Sequence, residues 1–179
     1  MTKIAILSDI HDNLINLKKC LCWCKKNNIQ TIFCCGDVTN SETLKFLSDN
    51  FLENIHLIKG NADIYDEEKI NNFDNIKYYG RTANIKIGNI NFGLCHEPFF
   101  IKKLSAIIKK GIIFYGHTHK PWEENKNNLK MVNPGTLSGM FSVGTFAIFN
   151  TENKKNYLCV TCKREYNKKH YKKKKAENT

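Results

Sequence analysis

Lys3-Ile4-Ala5-Ile6-Leu7-Ser8-Asp9-Ile10-His11 is the stretch on which the fold turns. A short apolar run stopped by polar residues is the pattern of a buried strand, and this one delivers Asp9 and His11 at its C-terminal end. Outward from it, Leu14, Leu17, Leu21 and Cys24 recur at helical spacing between lysines. Asp12 or Asn13 can cap that helix, and Asn27-Asn28 ends it. Residues 29–35 repeat the strand pattern and stop at Gly36-Asp37, 41–50 suit a second helix, and 55–59 a third strand stopping at Gly60-Asn61. The β-α-β-α-β order predicts parallel strands with right-handed crossovers in an α/β fold.

The middle of the chain changes character. Residues 76–79, 82–87 and 90–95 are short strand-like runs, with Gly88-Asn89 as a hairpin turn. Residues 98–110 suit a helix burying Ile101, Leu104, Ile107 and Ile108, and 112–115 another strand. From Trp122 through 129–132, 145–149 and 157–160 the chain is strand-rich. Two sheets packed face to face with helices outside, in one domain over 1–162, accommodate this order.

With 179 residues, 41% hydrophobic and 25% charged, the chain can bury a core of its own. No apolar run approaches the roughly 20 residues of a membrane span. The first apolar stretch is too short for a signal peptide, so a cytoplasmic protein is expected. In that setting the eight cysteines are expected to be reduced and mostly buried, and the lone Cys159-x-x-Cys162 pair is a weak zinc signal. Of the net charge of +11, much is a basic tail. Residues 163–179 hold eight Lys or Arg against Glu165 and Glu177. Such a tail is usually solvated, and it also allows weak contact with nucleic acid or an acidic partner.

Polar motifs recur where strands end. Asp9-Ile10-His11, Gly36-Asp37, Gly60-Asn61-Ala62-Asp63, Cys95-His96 and Gly116-His117-Thr118-His119 each follow a strand pattern. The C-terminal ends of parallel strands meet at one edge, where ligands bind. Two Asp, one Asn and four His would converge there, a mix of oxygen and imidazole donors suited to Mn2+, Fe or Zn2+ rather than Ca2+. The glycines before three of the motifs permit tight turns and close backbone approach.

Asp-x-His, Gly-Asp, Gly-Asn-x-Asp, a strand-end His and Gly-His-Thr-His, in this order, resemble the calcineurin-like metallophosphoesterases. The length and the Asn133-Pro134-Gly135-Thr136 loop are most similar to the small YfcE-type phosphodiesterases, which share ancestry with the retromer scaffold subunit. The resemblance implies a metallo-dependent phosphatase fold, a four-layer αββα sandwich of two mixed β-sheets flanked by helices. It also implies two divalent ions, Mn2+ preferred, with Zn, Fe, Ni or Co as substitutes. One ion would be held by Asp9, His11, Asp37 and His119, the other by Asp37, Asn61, His96 and His117, with Asp37 bridging. Asp63 would orient a ligand or its own turn. The implied reaction is hydrolysis of a phosphate ester or nucleotide, most of all a phosphodiester, by a hydroxide shared between the ions and attacking phosphorus in line. A homodimer is common among such relatives.

Two positions depart from the pattern. Ala62 stands where many relatives carry a His that helps protonate the leaving group, which predicts either a preference for acidic leaving groups or protonation by a metal-site His or water. Glu97 follows His96 where a Gly is usual, and it could narrow the mouth, stay in solvent or cap the next helix. His56 and His170 belong to no motif and are expected in packing and solvent roles. Phe99, Phe100, Trp122 and Phe141 lie near the motifs and could stack on a substrate ring, or be core. The competing function is a non-catalytic, metal-binding interaction scaffold of the same fold.

Overall fold

The computed structural model describes residues 3–140 and 142–160. Phe141, Cys162, His170 and the tail 163–179 lie outside the described residues.

Alternation along the first strand, β1 (Lys3–Leu7), decides the layering. Successive side chains leave a strand on opposite faces. Ala5 and Leu7 therefore join one buried cluster with Leu17, Leu21 and Leu44, while Ile4 and Ile6 join another with Phe92 and Phe114. One cluster lies under the helices α1 (Leu14–Lys26) and α2 (Ser41–Asn50), and the other lies between two sheets. Strands β2 (Thr31–Cys34), β3 (Asn54–Leu57) and β4 (Ile76–Tyr78) follow β1 in parallel, with Ala5 opposite Ile32 and Ile32 opposite Ile55. A 3-10 helix (Glu67–Asn72) precedes β4.

The chain then crosses to the second sheet. β5 (Thr82–Ile87) and β6 (Ile90–Cys95) form the expected hairpin, and Gly88 makes its turn at φ 56°. β7 (Gly111–Phe114) and β9 (Leu129–Asn133) run parallel to β6, while β8 (Trp122–Lys126) pairs antiparallel with β9. β10 (Thr145–Asn150) and β11 (Lys155–Val160) return to the first sheet, with β10 antiparallel to β1. The strand orders are β11-β10-β1-β2-β3-β4 and β5-β6-β7-β9-β8, two mixed sheets face to face. Phe33, Phe92, Phe114 and Phe149 fill the space between them, with Phe33 and Phe92 edge-on at 5.4 Å and Phe92 and Phe149 at 5.5 Å.

The helix α3 (Phe100–Ile107) covers the outer face of the second sheet and completes the four-layer αββα order. It is shorter than residues 98–110, because Ile108 already has extended backbone. Leu104 and Ile108 are buried with Ile113 and Leu129, but Ile107 is 58% exposed, contrary to expectation. Ile107 is the last helical residue and stands on the same face as the exposed Lys103, four residues before it, so the helix turns it outward.

No helix among the described residues is long and apolar enough to cross a membrane. Cys20, Cys24, Cys34, Cys35 and Cys95 are buried, unbridged thiols, as expected, and Cys22 is exposed. Burial pushes the thiols of Cys34 and Cys35 well up, which keeps them neutral beside the site described next.

Candidate metal centre

β1, β2, β3 and β4 are parallel, as are β6, β7 and β9, so each sheet gathers its strand ends at one edge. The five motifs follow β1, β2, β3, β6 and β7 and meet there. His119 Nε2 lies 3.1 Å from Asp9 Oδ1, and His11 Nε2 lies 3.8 Å from the same oxygen and 3.7 Å from Asp37 Oδ2. His96 Nε2 is 3.1 Å from Asp37 Oδ2 and 4.0 Å from Asp9 Oδ1. His117 Nδ1 meets Asn61 Oδ1 at 2.8 Å, and the His96 and His117 rings stand edge-on at 5.3 Å. The seven residues singled out from the sequence are therefore neighbours. Asp9, His11 and His119 form one group with ligand atoms all within 4.8 Å, and Asp9, Asp37 and His96 form a second. Asp9 is common to both groups, whereas the resemblance implies Asp37 as the shared ligand; here Asp37 Oδ2 approaches both His11 and His96.

The backbone at these residues is unusual. Asp9, His11, Asp37, His117 and His119, five of the seven, have φ between 43° and 69°. Left-handed backbone is uncommon for residues with a Cβ and costs of order 1 kcal/mol each, so it persists only where surrounding bonds hold it. Those bonds are present. Asp9 N donates to Gly36 O at 3.1 Å, Ile10 N and His11 N both donate to Asp37 O, and His117 N donates to the Asp9 carboxylate at 3.2 Å.

Asp63 holds the second and third motifs together. Its carboxylate accepts from Asp37 N at 3.0 Å, Gly60 N at 2.7 Å and Thr39 N at 2.8 Å. Thr39, a β-branched residue at φ 93°, owes its conformation to this grip. Burial raises the Asp63 carboxyl above its ordinary range despite the backbone donors that favour its charge. Close approach also explains two of the glycines. A Cβ on Gly60 would overlap the Asp37 carboxylate, and one on Gly116 would overlap Ser8 Oγ and stand 2.8 Å from Asp9 Oδ2.

The imidazoles are oriented from behind. His96 is fully buried, and its Nδ1 lies 2.8 Å from Cys35 O. A carbonyl only accepts, so Nδ1 carries the hydrogen and Nε2 is the atom turned to the two carboxylates. That Nε2 is buried and has no hydrogen-bond partner; its approach to Asp37 is close but not aligned as a bond. His11 Nε2 and His119 Nε2 face each other at 3.2 Å. The Asp9 carboxylate, and behind it Asp37, hold the His11 imidazole above its usual pKa. Burial lowers that of His96, but the Asp37 carboxylate outweighs it, so His96 too is raised. For Asp37, burial opposes the charge, but His96 and the Ala62 N–H at 2.8 Å win and hold its carboxyl below the ordinary range.

Several supporting residues were not singled out from the sequence for this role. Thr136 Oγ1 donates to Asp9 O at 3.0 Å, Leu137 N to Ser8 O and Ser138 N to Asp9 O at 2.9 Å. Asn133 Nδ2 donates to Gly116 O at 2.8 Å and to Thr118 Oγ1 at 3.1 Å. The loop after β9 thus braces the first and last motifs together, and only its likeness to a family loop marked it beforehand.

The other singled-out residues have settled places. Asn13, not Asp12, caps α1, accepting from Asn16 N at 3.0 Å, while Asp12 takes Thr43 Oγ1 at 2.6 Å. His56 packs edge-on against Phe33, stacks on Tyr79 and shares a 2.7 Å hydrogen bond with the Tyr79 hydroxyl. Phe99 is 68% exposed against Phe100, which packs with the α3 core, and Trp122 is exposed on β8. The Glu97 side chain is neither in open solvent nor a helix cap: it is 12% exposed, and its Oε1 lies 3.4 Å from Arg81 Nη1.

Known proteins share the sequence pattern and the fold. A model of the calcineurin-like phosphoesterase superfamily domain matches residues 2–154. The phosphodiesterase MJ0936 of Methanocaldococcus jannaschii is 29% identical over 168 residues, 85% of this chain and 95% of that protein. A solved archaeal phosphodiesterase superposes with a TM-score of 0.78 at 27% identity, over 89% of this chain and 99% of that one. YfcE, a phosphoesterase from E. coli, shares the fold at a TM-score of 0.69 and 17% identity, over 89% of this chain and 100% of its own.

Proposed function

Because the chain belongs to the calcineurin-like phosphoesterase superfamily, we propose that it is a metal-dependent phosphodiesterase whose site holds two divalent ions. Asp9, His11, Asp37 and His119 would hold one, and Asp37, Asn61, His96 and His117 the other. The observation that carries this reading is the buried His96 Nε2, with its tautomer set by Cys35 O and no hydrogen-bond partner of its own. Facing the Asp37 carboxylate at 3.1 Å and Asp9 at 4.0 Å, it either carries a proton for them or gives its lone pair to a cation between them. The donor set, oxygen from Asp and Asn with nitrogen from His, suits Mn2+ and also accepts Zn2+, Fe2+, Co2+ or Ni2+.

Two such ions would polarise phosphoryl oxygens and lower the pKa of bound water. The chain's own residues do the rest. Cys35 O and the Asp9 carboxylate keep His96 and the His117 backbone in place. Asp63 holds the Asp37 backbone through its N–H, and the Ala62 N–H fixes the Asp37 carboxylate. These contacts preorganise the site, so little reorganisation remains when substrate arrives. No side chain is needed as nucleophile. Ala62 offers no proton, so either the leaving group departs as a weak base or a His or water of the metal site protonates it.

The relative MJ0936, named a phosphodiesterase and aligned over nearly its full length, supports the diester preference. The test is turnover of bis(p-nitrophenyl) phosphate and p-nitrophenyl phosphate by metal-stripped protein with Mn2+ added back. Metal-dependent turnover, with the diester preferred and Asp37→Ala at least about 100-fold slower, is expected from loss of electrostatic stabilisation shared by both ions. Undiminished activity in Asp37→Ala would overturn the two-ion assignment. Lengthening the comparison to diesters with less acidic phenols should lower kcat steeply if the leaving group departs as a weak base; a flat dependence would contradict that departure and assign the proton to the metal-site His or water.

A further inference from the structure

Arg81 follows β4, whose C-terminal end lies at the same edge as β3 and its Asn61 motif. The next residue, Thr82, pairs with Cys95, immediately before His96. Topology thus brings Arg81 to the seam where the two sheets meet, beside the half of the centre formed by Asn61, His96 and His117. Contacts confirm the placement. Arg81 Nη1 donates to Gly60 O at 3.1 Å and lies 3.4 Å from Glu97 Oε1, so it touches the neighbours in sequence of both Asn61 and His96. Lys59 N donates to Gly80 O at 2.7 Å and fixes the chain on the other side.

One nitrogen of the guanidinium is engaged by these contacts. Its Nε and Nη2 have no hydrogen-bond partner among the described residues, and the side chain is 47% exposed. An arginine carries five N–H donors on a rigid plane that matches two phosphate oxygens. Glu97, largely buried, anchors that plane from one side and leaves its Oε2 without a partner. A carboxylate spent on holding an arginine at a site mouth gives the otherwise flexible cation a defined position.

We propose that Arg81 is a substrate-binding residue: its unengaged edge takes phosphoryl oxygens of the substrate, and Glu97 is the positioning residue that holds it. The anion it recognises is a phosphate group. This rests on the phosphoesterase reading above, and it assigns the site a third source of positive charge supplied by the chain itself.

The test is binding of inorganic phosphate to Mn2+-loaded protein by calorimetry, with turnover measured in parallel. Arg81→Gln should weaken phosphate binding and raise KM about tenfold, with a smaller change in kcat. Arg81→Lys should recover only part, since it keeps charge without the planar fork. Added guanidinium ion should improve phosphate binding by Arg81→Ala. Mn2+ affinity and thermal midpoint should stay near wild type in all three. Unchanged phosphate affinity in Arg81→Gln would overturn the proposal. So would a loss that only tracks weaker Mn2+ binding, since that is a loop brace and not an anion contact. Wild-type protein that binds phosphate through Arg81 but turns over no ester would instead overturn the catalytic reading and leave this one standing.

Discussion

His96 has its chemistry assigned by its surroundings: Cys35 O takes Nδ1, and Nε2 faces Asp37 and Asp9. This has a consequence for pH. In the metal-free chain the His11 and His96 pKa values lie above 6.5, so the carboxylates favour protons on the nitrogens an ion would need. Metal must displace those protons. Affinity for Mn2+ should therefore be full at pH 8 and fall as pH drops through the raised values, beginning above 6.5. Equal affinity at pH 8 and pH 6 would contradict this. Stability of the metal-free chain should move the other way. A raised folded-state pKa contributes stability that is complete below the unfolded value and lost as pH rises through the folded one. Metal-stripped protein should thus lose this increment between pH 6 and 8 while metal-loaded protein gains, which paired thermal melts would show. The candidate ligands were legible in the sequence, because Asp, Asn and His at strand ends have few other uses in such number. Their left-handed backbone was not, since nothing in an Asp or His announces φ 56° or 58° at Asp9 and His119.

At the scale of elements, strand and turn carry the site, and each strand end is made by a loop that fits only tightly. Gly116→Ala would drive a Cβ into Ser8 Oγ and against Asp9 Oδ2. Overpacking of this kind costs about 1–3 kcal/mol. Chemical denaturation should read that loss, and Mn2+ binding should weaken with it because β1 must shift; full stability would show the approach to be looser than described. The β-α-β-α-β order was readable from Ile4–Leu7, Ile32–Cys34 and Ile55–Leu57, since buried parallel strands are nearly continuous apolar runs. The end of α3 was not. Its apolar spacing continued through Ile107, and only the extended backbone of Ile108 ended the helix there. Arg81 and Glu97 went unpaired in the sequence for a related reason. They are 16 residues apart, just beyond the open end of the β5–β6 hairpin, and their 3.4 Å approach emerges only with the register that sets Thr82 opposite Cys95.

For the molecule as a whole, function and stability meet in the contact between sheets. The first sheet supplies Asp9, His11, Asp37 and Asn61, and the second supplies His96, His117 and His119. The centre is complete only if the sheets hold their separation. The cluster of Phe33, Phe92, Phe114 and Phe149 sets that separation. Phe92→Ala should cost about 3–5 kcal/mol, and surviving folded protein should bind metal more weakly. A variant that keeps full stability would place the sheet contact elsewhere. The central claim remains the paired metal centre, and the most direct measurement is the number of Mn2+ ions bound per chain at saturation, by elemental analysis and calorimetry. The account predicts two for the wild type, with Asp37→Ala losing affinity at both positions. A single ion in the wild type, or two ions held as tightly in Asp37→Ala, would contradict it.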